Sequence, residues 1–126
     1  MTAAPTRDVE AEADIRAIVD AFYGDITADP VLGPYFADVD GTAHRDRMVA
    51  FWSSVAFQTG AYRGRPFAPH ARLEGLTRAH FAHWVSRFDR VVGVRFAGPV
   101  ADLLRARADQ IAGVFQVKLG LWTVAP

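Results

Sequence analysis

Cysteine is absent from the 126 residues, which removes disulfides, thiolate nucleophiles, iron–sulfur clusters and cysteine-held zinc from consideration in one step. Net charge is missing as well. Fourteen Lys plus Arg balance fourteen Asp plus Glu, and the arginines are scattered along helical segments without forming a stripe that could neutralise phosphates. Nucleic acid is therefore not an expected partner. No apolar run approaches the roughly 18 residues of a membrane span, and the opening MTAAPTRDVEAEA lacks the apolar centre of a signal peptide. No membrane partner is expected, and the lack of cysteine fits the cytoplasm. The valine-rich run RVVGVRF carries a central glycine and joins a helical stripe, so no strand is expected; repeats and low-complexity segments are also lacking.

What is present is enough for one core: 51% of the residues are hydrophobic and 22% charged, the proportions of a chain that folds. We expect a flexible tail over residues 1–13 and a single domain over 14–126. In the first helical segment Ile15, Ile18, Val19, Phe22 and Ile26 recur at helical spacing, until ADPVLGPYF breaks the pattern with two prolines and a glycine. A second segment follows Gly41, with Thr42 as a candidate N-cap and His44, Met48, Phe51, Trp52 and Val55 along one stripe. A third starts after Thr77, also a candidate cap, and lines up Phe81, Trp84, Val85, Phe88, Val91 and Val92 before Gly93. Pro99 suits the first turn of a fourth, in which Leu104, Ala108, Ile111, Phe115 and Leu119 keep the period. The chain reads as all-α.

Between the second and third segments lies YRGRPFAPHARL. Loops longer than about 12 residues are uncommon in compact domains unless they have a task. Here Gly64, Pro66 and Pro69 can hold His70 at a fixed height beside the core, because proline restricts its own backbone and that of the residue before it. Three further residues place a polar atom where the period demands core. His44 opens the second stripe, Tyr23 stands at the margin of the first, and Trp84 sits in the middle of the third. Taken alone, each reads as an ordinary core residue with one wet end or as a cap. Taken together, with no acid in the stripes to receive them, they point to an acceptor that is a ligand. His80 and His83, three apart on the third segment, are expected to face solvent.

In order and spacing, AFYGDI, LGPYF, HRDRMVAFW, YRGRPFAPHARL, HFAHWVSRF and RADQIAGVFQ resemble the truncated haemoglobins, and within them the third group. The resemblance spans Asp14 to Leu119. The paired-glycine motifs usual in the other two groups do not occur. It implies a two-over-two helical sandwich enclosing haem b, with His70 as the proximal iron ligand. It also implies that Tyr23, His44 and Trp84 line the distal pocket, that Phe36 packs on the haem ring and that Arg47 pairs with a propionate. Whether His44 bonds the ligand or gates it stays open, and Pro69 directly before His70 is a departure that bears on the imidazole's orientation. The implied partners are oxygen, nitric oxide, carbon monoxide and peroxide, together with an unidentified reductase, in a bacterial, cytoplasmic setting. Nitric oxide dioxygenase and peroxidase-like activities both belong to that expectation. The rival readings are a helical non-haem metal protein and a helical interaction domain without a cofactor.

Overall fold

The computed structural model describes residues 5–36, 41–58 and 75–121. Four helices carry them: α1 (Glu12–Thr27), α2 (Gly41–Phe57), α3 (Arg78–Gly93) and α4 (Pro99–Lys118), with a short 3₁₀ turn over Gly33–Phe36 between the first two. No strand occurs among the described residues.

Helix α1 begins at Glu12, three residues before the apolar period starts at Ile15. The Asp14 carboxylate accepts the backbone N–H groups of Glu10 and Ala11 at 2.9 and 3.2 Å, which satisfies donors that the helix cannot. Ile15, Ile18, Val19, Phe22, Tyr23 and Ile26 are buried along it, as the spacing predicts. Past its end the chain doubles back so tightly that a Cβ on Gly33 would stand 2.7 Å from the Thr27 carbonyl oxygen. Only glycine fits there without displacing backbone.

Helix α2 corrects the sequence in two respects. It starts at Gly41, so Thr42 is its second residue and not its cap. Its buried residues are Val49, Trp52 and Ser53, whereas His44, Met48, Phe51 and Val55 from the expected stripe are half-buried. The helix therefore carries two apolar faces side by side. One is enclosed in the core through Val49 and Trp52, and the other, with Met48, Phe51 and Val55, packs against that core while keeping part of its surface open. A single-stripe reading merges them because 3.6-residue periodicity cannot separate faces about 100° apart.

Helix α3 opens as expected on Thr77, whose hydroxyl accepts the His80 N–H, while the Thr77 N–H donates to His80 Nδ1 at 3.0 Å. This is a reciprocal cap with histidine in the place usually held by glutamate. Leu119 follows the end of α4 and caps it.

Helix α1 packs on α2 and α3, and α4 packs on the same two. The α1/α2 pair thus lies across the α3/α4 pair, the two-over-two sandwich anticipated. Phe22, Phe88, Ile15, Ile18, Ile26 and Leu104 are its largest fully enclosed side chains, each contributing about 1.5–3 kcal/mol by leaving water. Trp52 stacks on Phe88 with centroids 4.5 Å apart, joining α2 to α3 through the centre.

Residues 7–9, assigned from sequence to the flexible tail, are docked. Val9 is 3% exposed. Asp8 accepts the N–H groups of Val100 and Ala101 at 2.9 and 2.8 Å and so caps α4 from 92 positions away. Gly98 makes the approach possible: its φ is +147°, and a Cβ would meet the Asp8 side chain at 2.5 Å. Arg7 pairs with Asp14 at 2.6 Å and lies over the Phe96 ring. Among the described residues no helix is long and apolar enough to cross a membrane.

Candidate functional site

Tyr23, Phe36 and His44 come from three different elements and meet ring to ring. The Tyr23 and His44 centroids are 4.8 Å apart at 90°, those of Tyr23 and Phe36 are 5.7 Å apart at 70°, and those of Phe36 and His44 are 6.1 Å apart. These edge-on geometries are the ones aromatic quadrupoles favour. Trp84 stands one ring further away. Phe22 touches both Tyr23, at 5.2 Å, and Trp84, at 5.6 Å and 88°, while the Trp84 plane lies nearly parallel to Phe88. The half-buried second face of α2 continues from His44 through Met48 and Phe51.

The electrostatics of this cluster are set by burial. Tyr23 is 6% exposed, and burial pushes its hydroxyl well above the ordinary value, against a smaller opposing influence of the Arg45 charge. The hydroxyl therefore stays protonated and remains a donor across the working pH range. A protonated hydroxyl in this ring cluster can donate to a guest that brings an acceptor.

Two crossed ion pairs follow His44 on α2: Arg45 with Asp20 at 3.5 Å and Asp46 with Arg16 at 3.1 Å. Both tie the second turn of α2 to α1. Arg47 is exposed on the same turn. His70 lies outside the described residues, so of the six residues singled out from sequence the structure brings together Tyr23, Phe36 and His44, puts Trp84 beside them through Phe22, and leaves Arg47 on the surface.

His83 is only partly turned to solvent and is tied to a buried acid, where the sequence predicts a solvent-facing residue. Its Nε2 is 2.7 Å from Asp29 Oδ2, and the Asp29 side chain is 2% exposed. Asp29 also accepts the backbone N–H groups of Val31 and Leu32 at 2.8 and 3.1 Å and pairs with Arg87 at 3.2 Å. The His83 hydrogen bond, followed by these backbone donors, outweighs burial and holds the carboxyl at about 2. Asp29 is thus the buried acid that the apolar stripes do not show. The sequence carries two faint signals for it: Asp-Pro at a helix exit, where aspartate shapes a turn, and His83 four residues before Arg87, on one helix face. His80 is likewise occupied, by its cap and by an edge-on contact with Tyr35 at 5.5 Å. A separate groove of 380 Å³ between α3 and α4, lined by Val85, Asp89, Asp102, Arg105, Ala106 and Asp109, shares no residue with the ring cluster.

No family model matches the chain. The group 1 truncated hemoglobin GlbN of Nostoc sp. is 30% identical over 101 residues, covering 79% of this chain and 83% of its own length. The chain belongs to the truncated haemoglobins. The group 3 truncated hemoglobin ctb of Campylobacter jejuni is 25% identical over 111 residues, 83% of this chain and 87% of the relative. The crystal structure of group III truncated hemoglobin from Campylobacter jejuni superposes with a TM-score of 0.81 at 22% identity, covering 96% of this chain and 99% of that one. The structure of Chlamydomonas reinhardtii THB1 gives 0.67 at 32% identity, covering 82% and 89%. This truncated haemoglobin has relatives in both groups; the longer sequence match is to the third, in agreement with its motifs, and the superposition shows the fold.

Proposed function

We propose that this truncated haemoglobin binds haem b against the ring face of α2, with His70 as the iron's protein ligand, and uses the bound haem to take up oxygen reversibly. The residues present fit that group. A porphyrin is flat, apolar and wide, and the half-buried second face of α2, Phe36 at its edge and Trp84 on α3 offer apolar contacts of that kind. Arg47, exposed on the second turn of α2, supplies a cation for a carboxylate at the rim. When bound, haem iron would supply the site for a diatomic ligand, and the His70 imidazole would lend it electron density.

The observation that carries the reading is the ring cluster of Tyr23, Phe36 and His44, in which burial keeps the Tyr23 hydroxyl protonated and so a donor. A preorganised donor in a site that excludes water stabilises developing negative charge without reorganising. Oxygen is therefore favoured over carbon monoxide, which draws less charge. The Trp84 indole N–H is the second donor in this scheme, and His44, held edge-on to Tyr23, stands where it either adds a third bond or swings to admit ligand. Its neighbours Arg45 and Asp46, tied to α1, limit the swing to the side chain.

The same donors suit nitric oxide dioxygenation and peroxide reduction. Of these we favour the former, since the donors that retain oxygen also keep it in place for nitric oxide; steady turnover then requires electrons from a separate reductase. Mixing the oxygenated protein with nitric oxide tests this: rapid, stoichiometric nitrate formation is expected, and peroxide turnover by the ferric protein at a greater rate reverses the order. The rival of a non-haem metal centre finds no support among the described residues, where no three His, Asp or Glu side chains gather and both His80 and His83 are engaged.

A further inference from the structure

Asp29 stands where two parts of the ring face meet, and its bonds run to both. On one side its carbonyl accepts the Gly33 N–H at 2.8 Å and its carboxylate accepts from Val31 and Leu32. These bonds shape the turn that leads straight into Gly33–Phe36, and so place Phe36. On the other side the carboxylate holds His83, the residue before Trp84 on α3. Because the carboxyl is ionised, Nε2 is the donor in that bond. Arg87, one turn further along α3, reaches both Asp29 and Asp25, so the helix is held at two heights along its axis.

We propose that Asp29 and His83 are positioning residues for the ligand pocket: the bond between them fixes the roll of α3, and with it the place of the Trp84 indole relative to Phe36 and Tyr23. This rests on the haem reading above. A helix that packs through apolar contacts can rotate by several degrees at little cost, since such contacts are not directional. A short charge-assisted bond at one position of its surface is directional and removes that freedom. Trp84 is the next residue along and half-buried, so it follows the roll more than the enclosed Phe88 does. A role confined to stability predicts only a weaker fold when the bond is lost.

His83→Ala and His83→Gln test the difference. Either change leaves the two backbone bonds of Asp29 intact, and the His83 side chain is already 31% exposed, so both variants keep the fold; Gln restores an N–H donor at similar reach. The readouts are the Trp84 indole N–H resonance, assigned with Trp84→Phe, the infrared band of carbon monoxide on the ferrous protein, and the oxygen dissociation rate. His83→Ala is expected to move the resonance and the band and to change dissociation by about 3- to 10-fold, the size typical of coupling through a packed element. His83→Gln is expected to return all three most of the way. If His83→Ala lowers the melting temperature while resonance, band and rate stay put, the inference is overturned and the haem reading stands. A wild-type chain that acquires no Soret band on addition of haem overturns the haem reading, and this inference with it.

Discussion

The carboxylates of Asp8 and Asp29 and the hydroxyl of Tyr23 are all polar groups drawn into the fold, yet they are treated in opposite ways. Each carboxylate gathers donors: Asp8 takes three backbone N–H groups, and Asp29 takes two, plus His83 and Arg87. Tyr23 is ringed by Phe22, Phe36 and His44, and among the described residues its protonated hydroxyl meets no carboxylate there. Fully bonded buried groups fix a structure, while a donor that no carboxylate holds is available to a guest. The difference separates the parts of this protein that hold shape from the part that binds.

Substitutions on the two sides should therefore split stability from ligand affinity. The largest effect is expected for Tyr23→Phe, which removes a charge-assisted bond worth about 1.5–3 kcal/mol and so speeds oxygen release roughly 10- to 100-fold. The same variant should keep its stability in urea, because the ring contacts of Tyr23 remain. Unchanged release combined with a weaker fold would place Tyr23 with the carboxylates. Asp8→Ala should do the reverse, costing about 1–2 kcal/mol through loss of the α4 cap, seen as a lower denaturation midpoint with ligand kinetics intact.

The acid limb of stability sharpens the comparison further. The folded-state value of Asp29 is depressed from 3.8 to about 2, so its contribution is fully present above the ordinary carboxylate range and is lost as pH falls through that range towards 2. Asp14, held at about 2 chiefly by Arg7, behaves alike, and Asp8 lies below its ordinary value despite burial, through its three backbone donors. Urea midpoints measured between pH 6 and 2 should fall over that window, and Asp29→Asn should flatten the fall; a slope identical to wild type removes Asp29 from the account. The smallest effect is expected for Arg16→Ala, since the exposed Arg16–Asp46 pair is worth at most about 1 kcal/mol. Its midpoint should shift little, and less still in high salt.

Much of this fold is legible in the chain. The stripes of α1, α3 and α4 are local patterns with a 3.6-residue period, and Thr77 and Pro99 mark helix starts by their own chemistry. Tyr23, His44 and Trp84 stand out for the same reason, as polar atoms at positions where the period calls for apolar ones. What the chain hides is long-range and polar. Asp8 meets Val100 across 92 positions and Asp29 meets His83 across 54, and neither pairing leaves a periodic trace. The depth of the α2 residues is hidden for another reason: adjacent apolar stripes on one helix blur into a single wide one, so the period does not tell the enclosed Val49 and Ser53 from Met48 and Phe51, which pack on the core while only partly buried.

The most direct test is a titration of the purified chain with haem, followed at the Soret maximum, beside His70→Ala. The account predicts saturation at one haem per wild-type chain, with a sharp band that the variant loses or holds only loosely. An identical band and equal retention in His70→Ala, or no band in the wild type, would contradict it.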